Sequence, residues 1–229
     1  MKIVVLDDDL IVVQSPRVHI ADVYSEYLAN TIDVNGASAA CDLTAGSGYQ
    51  TLKLARCGLR VVAIDVLPEA VELTRVNAAT NGLANLVETR LGNLYEVLHA
   101  EERFDLVVAW PPVMPTPQGQ NSDGWWSLAN NGGLDGRLVF DKVIAGATAH
   151  LLPGGSLWMP HPWFLSESET RRVADAAGLD LVLVDSRRFP MGTVSGSRLA
   201  YIRSLGFEPE REDGRPLQRL TIVRFRRRP

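Results

Sequence analysis

Cysteine is scarce in this chain of 229 residues, which holds only Cys41 and Cys57. Cys41 belongs to an apolar run and Cys57 lies just past the next helical segment, so two reduced thiols are expected and no disulfide framework is built. Cys and His never fall at a metal-site spacing, and no metal is expected. No apolar run approaches the roughly 20 residues of a membrane span. The start, Met1 to Leu6, runs at once into Asp7-Asp8-Asp9 and lacks the length and cleavage site of a signal peptide. These absences point to a cytoplasmic location and no membrane partner. An excess of positive charge is also missing. The net charge of −4 argues against a broad nucleic-acid surface. The one basic cluster, Arg224-Phe225-Arg226-Arg227-Arg228, reads as the solvated end of a last strand whose charges protect its edge. No repeat, low-complexity tract or linker is visible, and the length suits one well-cored α/β domain.

What is present is alternation. Lys2–Leu6 and Leu10–Val13 read as a short N-terminal β-hairpin around the acidic turn. Ile20, Val23, Tyr24, Tyr27 and Leu28 have helical spacing. Strands are then expected near 38–43, 60–65, 87–89, 105–110, 155–159, 180–185 and 219–226, and helices near 49–55, 68–81, 138–150 and 167–177. Pro68 suits a first helical turn, Glu69 and Glu72 suit its positive end, and Gly82 follows as a stop. Such alternation predicts parallel strands, helices on both faces and right-handed crossovers. Residues 1–37 hold only the hairpin and one helix and are expected to be part of the same domain as 38–229. Two stretches break the rhythm. Residues 114–137 form a long loop rich in Gly, Asn, Pro and Trp, and 186–215 form a second insertion with a helix near 197–205. Long loops in compact domains are commonly binding loops or lids.

In an open α/β sheet the ligand lies outside the carboxyl ends of the strands. Five expected strand ends meet there: 42–48, Asp65, Asn93, 110–113 and 160–161. Gly46 and Gly48 permit a tight turn and close backbone approach. Asp65 is placed for a ribose diol and Asn93 for an adenine edge. A nicotinamide reading fits less well. Gly46-Ser47-Gly48-Tyr49-Gln50-Thr51 carries the first two glycines of the dinucleotide fingerprint, but Thr51 stands where the third belongs. Asp42, at the loop entrance, would face a pyrophosphate. A zwitterionic or cationic ligand tolerates that acid better.

At these residues the chain resembles the class I S-adenosylmethionine-dependent methyltransferases. Asp42-Leu43-Thr44-Ala45-Gly46-Ser47-Gly48 looks like their first motif, Val61 to Val71 like their second, and Gly92-Asn93-Leu94 like their third, where Asp is usual. The likeness covers residues 15–165. It implies a Rossmann-like, seven-stranded, mostly parallel sheet with an antiparallel last strand. It also implies S-adenosylmethionine contacts from Asp42, Ala45, Gly46, Gly48, Asp65, Val66, Asn93, Leu94 and Trp110. Within that group the chain is most similar to the HemK-like glutamine methyltransferases and related N-methyltransferases of bases. Phe104 to Val113 matches their "FDLIVANPPY" segment, Asn131-Gly132-Gly133-Leu134-Asp135-Gly136 their "GGxDG" stretch, and Leu152-Pro153-Gly154-Gly155 their "LxPGG" turn.

The pattern breaks at Trp110. In that family an Asn there holds a planar amide or amino group by two hydrogen bonds. Indole has one donor and no acceptor. Val113 also replaces an aromatic that would stack on a flat substrate. Trp110 is instead suited to stack on a ring or to hold a cation, including a sulfonium, on its face. The other reading of Trp110 is a side chain that only fills an emptied pocket. Trp110, Pro111, Pro112 and His161 are the candidate catalytic residues. Asp123, Asp135 and His161 are the candidate bases, and Trp125-Trp126 a candidate lid. The expectation is methyl transfer to a nitrogen or other heteroatom of a small-molecule metabolite, in preference to protein or RNA. The alternatives are methylation of a protein glutamine or a nucleic-acid base, displacement chemistry within the cofactor, and a silent cofactor-binding module.

Overall fold

The β-branched runs of the sequence become strands, and the segments between them coil back over the sheet. The computed structural model describes residues 2–6, 9–120 and 124–228. The hairpin pairs β1 (Lys2–Leu6) with β2 (Leu10–Gln14), and α1 (Val23–Thr31) follows. Next come β3 (Ala39–Asp42), α2 (Tyr49–Arg56), β4 (Arg60–Asp65), α3 (Pro68–Thr80), β5 (Val87–Leu91) and a 3-10 turn (Leu94–Val97). The second half holds β6 (Phe104–Val108), α4 (Trp125–Asn130), α5 (Phe140–His150), β7 (Leu151–Pro162), α6 (Glu167–Ala176) and β8 (Leu179–Pro190). It ends with α7 (Thr193–Ser197), α8 (Leu199–Ser204), β9 (Glu210–Glu212) and β10 (Arg215–Arg227).

The main sheet has the order β5-β4-β3-β6-β7-β10-β8. The pairs linking β5, β4, β3, β6 and β7 are all parallel, and β10 runs antiparallel to both β7 and β8. The expected mostly parallel sheet with an antiparallel last strand is therefore present. It departs from the expected seven strands by one: the short β9 pairs with β10. The second insertion folds as two short helices, α7 and α8, in place of one near 197–205, and α4 interrupts the first long loop.

Local sequence explains the helix ends. The Asp22 side chain accepts from the backbone N–H groups of Tyr24 and Ser25 and starts α1. Pro68 opens α3, and Gly82, at φ 71°, ends it while Leu83 N–H returns to the Ala78 carbonyl. One apolar cluster, with Phe140, Ile144, Leu157 and Phe225, packs α5 and α6 against one face. A second, with Tyr27, Leu28, Leu54 and Trp158, packs α1 and α2 against the other. The order reverses direction at β3, whose neighbours are β4 and β6, and this switch point opens the crevice above it.

The hairpin is fixed by an unusual device. Asn77 in the last turns of α3 and Asn81, the residue that caps its end, act as a strand edge. Their amide oxygens accept from the N–H groups of Val13 and Ile11, and their amide nitrogens donate to the same residues' carbonyls, all at 2.7–3.0 Å. Among the described residues, no helix is long and apolar enough to cross a membrane, and no group of three His, Cys, Asp or Glu is placed to hold a metal.

Candidate functional site

A cavity of about 660 Å³ lies over the carboxyl ends of β3, β4, β5, β6 and β7. One end is built from the β3–α2 loop. Gly46 turns at φ 56°, and its N–H donates to Asp65 at 2.9 Å. The other Asp65 oxygen accepts from Leu67 N–H at 2.9 Å. Burial raises the Asp65 pKa, and these backbone donors counter part of that rise. Ala45, Gly46, Asp65, Val66, Asn93 and Leu94 all line this end.

Asn93 occupies the position where the resemblance expects an acid. Its amide nitrogen donates to Glu96 at 2.7 Å. That bond fixes the carboxamide so that its oxygen remains for an incoming donor such as an adenine amino group, the property an Asp would supply. The cavity end thus offers a bare glycine backbone, the Asp65 carboxylate at the end of β4, an amide acceptor, and the apolar Val66, Leu67 and Leu94. This set fits an adenosine-containing cofactor.

Two residues expected to touch that cofactor do not line the cavity. Asp42 is only 1% exposed and lies beneath the loop. It accepts from Thr51 Oγ1 at 2.8 Å and from Thr44 N–H at 3.3 Å. Its desolvated carboxyl titrates at about 6, pushed up by burial against those bonds. Thr51 is thereby explained: its hydroxyl satisfies a buried acid where the dinucleotide fingerprint has a packing glycine. Gly48, at φ 85°, serves packing instead. A Cβ there would sit 2.9 Å from the Thr74 side chain on α3.

The other end of the cavity begins at Trp110-Pro111-Pro112-Val113. Trp110 N–H donates to Thr44 Oγ1 at 2.7 Å, which ties the end of β6 to the glycine loop. The indole is half-buried and packs on the apolar cluster that includes Tyr24, Trp158 and Phe189. The "GGxDG" stretch supports the same wall. Cβ atoms at Gly132 and Gly136 would lie 2.6 and 2.5 Å from the Val113 backbone, so these two positions accept glycine alone. Beside that contact Gly132 N–H donates to the Met114 carbonyl, and Met114 N–H donates to the Asn130 carbonyl, both at 2.9 Å. Pro160, Pro162 and Trp163 complete the side.

His161 is a correction. Side chains alternate along a strand, so Pro160 and Pro162 face the cavity while His161 faces α5 and α6. Its Nε2 lies 3.0 Å from Thr170 Oγ1, and its ring meets Phe140 edge-on. Burial, with Arg137 nearby, lowers its pKa to about 4 and keeps it neutral. It is not positioned to serve as a base in this cavity. Asp135 accepts from Arg137 N–H at 3.0 Å and is not among the lining residues either. Asp123 lies outside the described residues, as do the Trp125 and Trp126 side chains on which the lid reading depends. Among the described residues that line the cavity, the Asp, Glu and His residues are His19 and Asp22, just ahead of α1, and Asp65.

The structure adds residues that sequence patterns did not mark. Tyr24 from α1, Ser195 from α7 and Gln218 from β10 meet at the second end. Gln218 Nε2 donates to Tyr24 Oη at 2.5 Å, and Ser195 Oγ donates to Gln218 Oε1 at 2.8 Å. Tyr24 and Gln218 are 194 positions apart. Tyr24 stood out only as one apolar position of a helix, and nothing local marks Ser195 or Gln218.

Comparison with known proteins follows the same lines. The family model described as Methyltransferase small domain matches residues 14–171. A release factor glutamine methyltransferase of Bordetella pertussis is 32% identical over 149 residues, which is 62% of this chain and 54% of that one. A ribosomal protein uL3 glutamine methyltransferase of the same organism is 32% identical over 151 residues, 62% of this chain and 50% of the other. The chain spans about half the length of these curated relatives. In fold, a solved methyltransferase from Pyrococcus furiosus superposes with a TM-score of 0.60 at 18% identity, covering 96% of this chain and 90% of that one.

Proposed function

The chain belongs to the methyltransferase small-domain family, whose cofactor is S-adenosylmethionine, and on that premise we propose that it methylates the carboxamide nitrogen of a glutamine presented by a protein. The observation that carries this reading is the single cavity that joins the Gly46, Asp65 and Asn93 end to the Trp-Pro-Pro-Val wall. The names of its relatives favour a protein glutamine over the small metabolite preferred from the sequence.

When bound, S-adenosylmethionine supplies a methyl group already activated on sulfur. The residues present would hold it by Gly46 backbone, Asp65 at the ribose, Asn93 at the adenine and Val66 and Leu94 on the ring. The protein's remaining task is to align the acceptor and exclude water. The wall built from Trp110 to Val113, Pro160, Pro162 and Trp163 is suited to that task, being largely apolar; Asp22 and His19, just ahead of α1, are the titratable residues that line the cavity beside Tyr24 among the described residues.

A second reading, a heteroatom of a small metabolite, is favoured by one specific observation. Trp110 stands where the family's amide-binding Asn is expected, and its indole has no acceptor. Mass spectrometry of glutamine-containing peptides and proteins, incubated with enzyme and S-adenosylmethionine, separates the two. The first reading predicts a single methyl added to a glutamine side chain, at a rate that Trp110→Asn raises. Methylation of small metabolites alone, with glutamines untouched by both proteins, would replace it with the second.

A further inference from the structure

Resting on the carboxamide reading above, the geometry points to Gln218 as the residue that recognises the acceptor amide, in place of the Asn that Trp110 has displaced. Its side chain lines the same end of the cavity as Trp110. A primary carboxamide has two N–H donors and two acceptor lone pairs. Within the protein Gln218 uses one N–H on Tyr24 Oη and one lone pair on the Ser195 hydroxyl. One N–H and one lone pair are left, the complement of another primary amide.

The group is held like a recognition element. Ser195 is 92% buried, its residue being 8% exposed. Gly192, at the start of α7, presses its backbone on the network, since a Cβ there would lie 3.4 Å from Gln218 Nε2 and 3.6 Å from Tyr24 Oη. Tyr24 is anchored edge-on against Phe189 at 4.8 Å. Burial, with Asp22 nearby, raises the Tyr24 pKa, so its hydroxyl keeps its proton as a donor. Three distant segments therefore fix one carboxamide at the acceptor end. Trp110 fills the adjoining apolar cluster and leaves the polar contact to Gln218. The chemistry is the one methylation of an amide needs. A Gln218 carbonyl that accepts an N–H of the acceptor draws density toward its nitrogen, and a Gln218 N–H that donates to the acceptor carbonyl fixes the plane.

The test uses the full chain loaded with S-adenosylhomocysteine and isotopically labelled for NMR. N-acetylglutamine N-methylamide is titrated against N-acetylglutamate α-N-methylamide, which differs from it only in a carboxylate in place of the side-chain amide. The wild type is expected to bind the amide and to discriminate against the acid. Gln218→Leu is expected to lose about tenfold or more in amide affinity, the scale of one or two hydrogen bonds. Its affinity for S-adenosylhomocysteine should be unchanged, which a mere loosening of the fold would not spare. Gln218→Glu, which keeps an acceptor, should fall between. Equal amide binding by wild type and Gln218→Leu overturns the inference, as does wild-type binding of the acid as tight as the amide, or of neither. Failure of the wild type to bind S-adenosylhomocysteine is a different result, and it removes the functional reading itself.

Discussion

At the scale of single residues, two buried titratable groups pull stability in opposite directions over the same pH range. Asp42 titrates at about 6 in the folded chain, above an ordinary carboxyl, so its contribution is full at low pH and is lost as pH rises through 6. His161 titrates at about 4, below an ordinary imidazole, so folding is penalised at acid pH and gains as pH rises from 4 toward 6.5. The two trends offset each other in the wild type. Removing either one exposes the other. Asp42→Asn, which still accepts from Thr51, should melt at a temperature that climbs between pH 4 and 6.5. His161→Gln, which still reaches Thr170, should show the reverse slope. Each slope is worth on the order of 2 kcal/mol across the range. Flat profiles for both variants would mean that neither group is held as described. Both residues also show where sequence reading stops. Asp42 has the motif position of a ligand contact but lies one layer below it. His161 was placed at the right strand end, and only the alternation between Pro160 and Pro162 turns it away.

At the scale of elements, most strands and helices were legible because hydrophobic period and helix-stop residues coincide with them. Pro68 and Gly82 bracket α3, and Val61 to Ile64 runs straight into Asp65. The hairpin was legible too, but its docking was not. Asn77 and Asn81 read as ordinary polar positions on a helix, whereas they pair with the backbone of β2. Asn77 also donates to the Ser47 carbonyl at 2.8 Å, so hairpin and glycine loop share one side chain. Hydrogen exchange should report this. Asn81→Ala is expected to release the amide of Ile11 alone. Asn77→Ala should release Val13, and by freeing the Ser47 carbonyl it should also weaken cofactor binding several-fold, each lost bond being worth about 1 kcal/mol. Unchanged protection of Ile11 and Val13 would show that β1–β2 holds its place without the asparagines.

At the scale of the whole molecule, the chain divides one cavity between two jobs, and the two were not equally readable. The cofactor end is assembled from short motifs after consecutive strands, so 45–48, 65–66 and 93–94 carry it in the sequence itself. The acceptor end is assembled from α1, β6, α7 and β10, segments whose only common property is position in the folded chain. Trp110 announced that this end had changed, but the partners that replace the missing amide group become visible only when Tyr24 meets Gln218. The wall glycines at 132 and 136 stand between these cases: the motif was plain, and its cause, contact with Val113, was not. The central claim is that this cavity binds S-adenosylmethionine through Asp65. Calorimetry with S-adenosylhomocysteine on wild type and Asp65→Ala tests it most directly. The account predicts one site per chain, weakened at least tenfold by the substitution in a protein that remains folded, with a somewhat lower melting temperature because Gly46 and Leu67 lose their acceptor. No heat of binding at millimolar ligand, or equal affinity for the two proteins, would contradict it.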